Sequence, residues 1–249
     1  MRILLTNDDG VMAEGIYALA KELEKDYEVI IVAPETQRSA GSHAITLFQP
    51  LVVKEVELKG LKSKAYSISG TPADCVRVGL EALSDGPIDM VFSGINIGLN
   101  SGMDILYSGT VSAAIEANIY KIPSIAVSAE WINGDAKFNM AAKYAKSILE
   151  NIKNNLRKSN IVININVPYR DEENISGIKV CKIGGVIYDY YFMDQNENGE
   201  KVLRLKGRQE TKIEEDTDRY YLNQGYITLT PLHYDLTNFQ LLEEVKTWI

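Results

Sequence analysis

Short runs rich in β-branched residues alternate with helical patterns through the first two-thirds of this chain, and that alternation limits the fold more than any other feature. Ile3–Leu5, Val29–Ala33, Met90–Phe92, Ser124–Val127 and Ile161–Ile165 are dominated by apolar residues at successive positions, as strands buried on both faces must be. Between them, Glu14–Glu24, Ala73–Leu83, Val111–Ile119 and Lys137–Lys153 place apolar side chains three and four residues apart, which lines one face of a helix. Pro72 stands where a helix begins, and Gly86-Pro87 follow one that has ended. Such alternation predicts an α/β fold: a doubly wound, mostly parallel sheet joined by right-handed crossovers. The segment Ile45–Ser69 breaks the pattern, with Val52, Val53, Val56 and Leu58 suggesting extended strands placed as an insertion.

The character changes after Pro168. Lys179–Phe192 and Val202–Leu205 flank the polar turn Asn196-Glu197-Asn198-Gly199 and read as a β-hairpin. A charged stretch (Lys212–Arg219), a strand (Tyr226–Thr230) and a terminal helix (Asn238–Thr247) follow. The expectation is one domain over 1–249, with a core over 1–170 and a C-terminal extension over 171–249. The hairpin either packs on its own domain or reaches a neighbouring subunit.

Composition removes several functions. A net charge of −8, from 26 basic and 34 acidic residues, disfavours unaided contact with a nucleic-acid duplex. No apolar run approaches the roughly 20 residues needed to span a bilayer, and MRILLTNDDG reads as a first strand rather than a signal peptide. Cys75 and Cys181 lack a CxxC context and read as buried free thiols, so a cytoplasmic location is expected. With His43 and His233 the only histidines, a zinc hydrolase is disfavoured. The chain has no P-loop lysine signature, no GxGxxG after a strand and no GxSxG elbow.

Ligands of an open parallel sheet gather at the carboxyl ends of its strands. Three early strands end in polar loops: Thr6–Gly10, Pro34–His43 and Ser93–Gly102. Asp8 and Asp9 are adjacent carboxylates that repel unless a cation or hydrogen bonds offset them, and a hard divalent ion takes such oxygen ligands. The plainer reading is that one caps the helix near Glu14 while the other forms a turn with Gly10. Ser108 or Thr110 can cap the helix that follows, where exposed backbone N–H groups suit a phosphate; an ordinary cap without ligand is the alternative. Arg38 can grip a phosphate or simply be solvated, Ser39 can reach a metal or simply form a turn, and His43 can act as an acid or base or simply hydrogen-bond its loop.

Six blocks, in order, carry a resemblance: NDDG (Asn7–Gly10), APETQRSAGSHAIT (Ala33–Thr46), SGTPADCV (Ser69–Val76), SGINIGLNSGMDILYSGTVSAA (Ser93–Ala114), NINVP (Asn164–Pro168) and GYITLTPLHYDLT (Gly225–Thr237). Together they span almost the whole chain and resemble the SurE family of 5′/3′-nucleotidases. The resemblance implies a Rossmann-like core, with a C-terminal extension that assembles homodimers or homotetramers. It implies hydrolysis of nucleoside 5′- and 3′-monophosphates with one divalent ion, Mg²⁺ or Mn²⁺, per subunit. Its metal ligands would be Asp8, Asp9, Ser39 and Asn96; Asn7, Arg38, Ser39, Asn96, Ser108, Gly109 and Thr110 would contact substrate. Asp8 and Asp9 would be catalytic, either activating the attacking water or attacking phosphorus directly. Gln37 and Asp216-Thr217-Asp218 depart from the family pattern, which often has asparagine and Gly-Thr-Asp there. The arm around Tyr188–Leu205 also matches poorly. Rival readings are a metal-dependent glycosyltransferase and a non-catalytic nucleotide sensor.

Overall fold

The computed structural model describes residues 1–186, 189–208 and 213–249. Its strands are β1 (Arg2–Thr6), β2 (Glu28–Pro34), β3 (Val53–Val56), β4 (Lys64–Ile68), β5 (Met90–Ile97), β6 (Ser124–Ala129), β7 (Val162–Val167), β8 (Ile178–Val180), β9 (Asp189–Gln195), β10 (Lys201–Arg208) and β11 (Ile227–Leu232). Nine of them form one sheet in the order β3-β4-β2-β1-β5-β6-β7-β11-β8, while β9 and β10 pair separately as an antiparallel hairpin. From β4 to β7 every pairing is parallel. The antiparallel pairs in this sheet are β3 with β4 and β11 with β7.

The two faces of β1 explain its run of apolar residues. Ile3 and Leu5 enter a core with Ile16, Leu19 and Leu23 of α1 (Glu14–Leu23), while Leu4 faces the opposite side. That side is covered by α2 (Pro72–Val78), through Cys75 and Val76, and α3 (Gly109–Ile119), through Ala113 and Ala117. The helix α4 (Phe138–Leu156) packs beside α1, bringing Ala141, Ala145 and Leu149 onto the first core. α5 (Asp218–Asn223) and α6 (Leu242–Lys246) lie in the C-terminal part. Among the described residues no helix is long and apolar enough to cross a membrane.

Several expectations change. Ile45–Ser69 is not an insertion: β4 pairs parallel with β2 inside the main sheet, and β3 closes its edge. Lys179–Phe192 is not one hairpin strand, because β8 joins the main sheet beside β11 and the hairpin begins only at Asp189. Helix α2 passes into a π-helical turn over Gly79–Leu83, and the terminal helix shortens to Leu242–Lys246. Cys75 is buried, but Cys181 is only partly so.

The chain leaves β1 toward β2 and β4, then returns to place β5 on the other side of β1. The loops after β1 and β5 therefore diverge at a topological switch point, where such sheets open a crevice. Thr6 and Ser93 sit side by side at that point.

Candidate active site at the carboxyl edge of the sheet

Asn7 leads the first loop out of β1. It is fully buried; its side-chain amide donates to the Gly10 carbonyl (2.9 Å) and its Oδ1 accepts from Gly10 N (3.2 Å). Gly10 has φ +103°, a conformation that glycine adopts at no steric cost. Asn7 thus closes the turn that the plainer sequence reading gave to an aspartate. Nor does either aspartate cap α1, whose N-cap is Ala13 with no side-chain bond. Both carboxylates are directed elsewhere.

Asp8, 3% exposed, faces the start of α3. Thr110 N–H donates to Asp8 Oδ2 (3.1 Å) and the Thr110 hydroxyl donates to Oδ1. A Cβ on Gly109 would lie 2.8 Å from the Asp8 Cβ, so only glycine lets the carboxylate come this close. The Asp8 carbonyl accepts Arg38 N–H (2.7 Å), which ties in the second loop. Asp9 Oδ2 accepts Ile97 N–H (2.9 Å) from the end of β5, and Gln37 Nε2 reaches both Asp9 Oδ1 (3.3 Å) and Ser39 Oγ (2.9 Å). Asn96 turns its amide N–H to the Gly98 carbonyl (2.7 Å), and its Oδ1 has no protein partner among the described residues. Segments around positions 8, 39, 96 and 110 therefore meet at one sheet edge.

For several residues the structure selects among the readings the sequence left open. Ser108, not Thr110, caps α3, its hydroxyl accepting from Val111 N–H (3.1 Å). Thr110 spends its donors on Asp8, because a buried carboxylate needs them. The Arg38 guanidinium donates to the Ser69 carbonyl (2.9 Å) rather than to this cluster. His43 bonds Glu116 of α3 (2.7 Å) and thereby fastens the Ser39 loop to that helix. Two roles were not legible in the sequence: that of Gln37, noted there only as a departure from the family pattern, as the bridge between Asp9 and Ser39, and that of Asp74, which accepts from Thr46 and Thr71 and holds the end of the same loop. The only local signal was the Thr71–Asp74 capping-box spacing.

Burial raises the Asp8 carboxyl above its ordinary range, opposed by the Thr110 hydroxyl and the backbone donors of Thr110 and Gly109. Burial also lifts Asp9 to about 6, with repulsion from Asp8 adding to it and the Ile97 N–H working against it. Among the described residues no lysine or arginine pairs with either carboxylate. Two crowded carboxylates of this kind match what a cation would offset. No cluster of three or more His, Cys, Asp or Glu side chains is placed to hold a metal among the described residues, so a cation here would have to complete its shell with neutral oxygens. The donors present (Asp8, Asp9, the Ser39 hydroxyl, Asn96 Oδ1) are all oxygen, which fits hard Mg²⁺ or Mn²⁺.

The sheet order defines a Rossmann-like α/β protein, and the acidic, oxygen-lined edge at its β1/β5 switch point is the candidate ligand site. Residues 3–189 match the family model described as Survival protein SurE, and the chain belongs to that family. It is 56% identical to the 5′-nucleotidase SurE of Clostridium botulinum (strain ATCC 19397 / Type A), over 99% of this chain and 98% of the relative. It is 53% identical to the 5′-nucleotidase SurE of Clostridium tetani (strain Massachusetts / E88), over 100% of both. The crystal structure of SurE protein from Aquifex aeolicus superimposes with a TM-score of 0.86 at 35% identity, covering 100% of this chain and 99% of that one.

Proposed function

We propose that this chain is a 5′-nucleotidase that requires one divalent ion per subunit, Mg²⁺ or Mn²⁺, and releases phosphate from nucleoside 5′- and 3′-monophosphates. The observation that carries the reading is the Asp8-Asp9 pair at the switch point, Asp8 buried against the start of α3 and Asp9 half-buried against the end of β5, with no basic partner among the described residues. Full-length similarity to relatives named 5′-nucleotidase supports it.

Asp8, Asp9, Ser39 and Asn96 would hold the ion. A divalent ion bound there supplies positive charge to the phosphoryl oxygens and lowers the pKa of a nearby water. The chain's own groups do the rest. Asp8 is locked by Thr110, so it serves as a fixed anchor. Asp9 has one oxygen held by the Ile97 N–H and the other only by the long Gln37 contact, which leaves it the freer of the two to take a proton from the attacking water. The water oxygen bonds to phosphorus as the ester bond breaks in line, and the nucleoside oxygen leaves and takes up a proton. At the start of α3 the Thr110 donors are taken by Asp8 and the Val111 N–H by Ser108 Oγ, so the Ser108 hydroxyl proton is the donor this turn would offer to negative charge that builds on phosphate.

Assembly through residues 171–249 and a cytoplasmic location belong to the same reading. The exposed side chains of Tyr191, Met193, Leu203 and Leu205 support the first, and the unpaired Cys75 and Cys181 support the second. Phosphate release from AMP with Mn²⁺, Mg²⁺ or EDTA tests the function. Turnover that requires the ion and is lost in Asp9→Asn is expected; turnover unchanged in EDTA contradicts metal dependence.

A further inference from the structure

We propose that Asp218, in the C-terminal extension, is a positioning residue for the catalytic loop between β5 and α3. The assignment rests on the nucleotidase reading given above.

Asp218 is 0% exposed, the most deeply buried carboxylate among the described residues. It begins α5, where Thr217 caps the helix and Asp218 N–H donates to the Lys182 carbonyl (3.0 Å). Its Oδ2 accepts Gly102 N–H (2.7 Å) across 116 residues of chain. Its Oδ1 accepts Gly184 N–H (2.9 Å) and Arg219 N–H (2.7 Å). Arg219 works beside it: one guanidinium nitrogen donates to the Ser101 carbonyl and to Asp104 Oδ2, both at 2.9 Å. Gly102 has φ +59°, and a Cβ there would lie 2.7 Å from Arg219 Nε, so the guanidinium packs directly on the glycine backbone.

Those contacts fall midway along the segment that joins Asn96 to Ser108. Closer to β5, Asn166 Oδ1 accepts Asn100 N–H (2.8 Å), and the Asn164 and Asn166 amides donate to its carbonyl (both 2.9 Å). Nearer α3, Ser42 donates to the Leu106 and Tyr107 carbonyls, which brings in the Ser39 loop. Asp218 and Arg219 fix the stretch between these anchors. Displacement there would shift the Ser108–Thr110 turn relative to Asp8, and errors of about 1 Å in such a site cost about 100-fold in rate.

The chemistry explains why a carboxylate stands here. All three partners of Asp218 are N–H donors, so both side-chain oxygens must accept. In Asp218→Asn one oxygen becomes NH₂. The remaining oxygen can still serve Gly184 and Arg219, which leaves NH₂ facing Gly102 N–H, donor against donor.

The test compares wild type with Asp218→Asn in three measurements: kcat and KM for AMP with Mn²⁺, Mn²⁺ affinity, and amide hydrogen exchange over residues 98–108. The variant is expected to lose at least tenfold in kcat/KM, mainly in kcat, with Mn²⁺ affinity within twofold of wild type and with faster exchange in that segment. Wild-type kcat/KM in the folded variant overturns the assignment, and so does a parallel loss of Mn²⁺ affinity. Should Asp218→Asn fail to fold, Arg219→Gln carries the same expectation, because it cuts the loop from Ser101 and Asp104 while leaving Asp218 in place. A wild-type protein that binds Mn²⁺ but releases no phosphate from AMP strikes the nucleotidase reading. Wild-type turnover together with an unaffected variant strikes this assignment alone.

Discussion

Asp8 and Thr110 lie 102 residues apart and are joined by two hydrogen bonds, hydroxyl to Oδ1 and backbone N–H to Oδ2. One threonine therefore sets the orientation of the carboxylate at the centre of the site. A hydrogen bond to a charged group contributes about 1.5–3 kcal/mol, which corresponds to roughly 10–100-fold in rate where it acts in the transition state. Thr110→Ala is expected to lower kcat/KM for AMP by that factor, while Thr110→Ser, which keeps the hydroxyl, retains most activity. Steady-state kinetics of the pair decides it; equal losses in both would show that the methyl group, not the hydroxyl, matters.

Gly109 gives the same carboxylate its room. An added Cβ would meet the Asp8 Cβ at 2.8 Å, Asp8 Oδ2 at 2.9 Å and Pro72 Cγ at 3.2 Å. These neighbours are buried, and overpacking of this kind costs about 1–3 kcal/mol. Gly109→Ala is expected to lower both the thermal midpoint and the rate, with the rate falling further than the loss of folded protein explains. A variant with wild-type kinetics would contradict the close approach of α3 to Asp8.

Acid sensitivity follows from Asp74. Burial pulls its carboxyl upward, but hydrogen bonds from Thr71 and Thr46 outweigh burial and hold it below the ordinary 3.8. A lowered carboxyl stabilises the fold fully above the unfolded value, and that contribution disappears as pH falls through the folded one. Urea midpoints are therefore expected to drop as pH is lowered through about 4 toward 3, and Asp74→Asn should flatten that decline. The variant should also lose about 1 kcal/mol at neutral pH through the weakened helix cap. Parallel pH curves for both proteins would remove Asp74 from the account.

The hairpin presents an apolar face that its own sheet does not cover. Met193 pairs across with Leu203 and Tyr191 with Leu205, and all four side chains are more than half exposed. Sedimentation equilibrium is expected to give a dimer or tetramer, and Leu203→Glu with Leu205→Glu to shift it toward monomer. An unchanged mass in the double variant would place the interface elsewhere.

The legible parts of this fold were those with a local signature. Strands β1, β2, β5, β6 and β7 are buried on both faces and so leave short, mostly apolar runs, broken in β7 by Asn164 and Asn166. β4 escaped because Lys64, Tyr66 and Ser67 interrupt its apolar residues near the sheet edge, and β8 because its place beside β11 depends on a partner 49 positions later. The Asp8-Asp9 pair stood out as adjacent carboxylates at a strand end. The function of Thr110, Gln37 and Asp218 did not, because each is defined by a distant partner: Asp8, Asp9 and Gly102. Asp218 is the clearest case. It lies within the charged stretch Lys212–Arg219, yet backbone donors from two other segments draw its carboxylate wholly inside.

Anomalous scattering from Mn²⁺-loaded crystals, with phosphate release from AMP measured on the same preparation, tests the central claim most directly. The account predicts one ion per chain, ligated by the carboxylates of Asp8 and Asp9 and by oxygens of Ser39 and Asn96, with turnover abolished by EDTA and restored by the ion. An ion bound away from Asp8 and Asp9, or AMP hydrolysis that continues in EDTA with no ion bound, would contradict it.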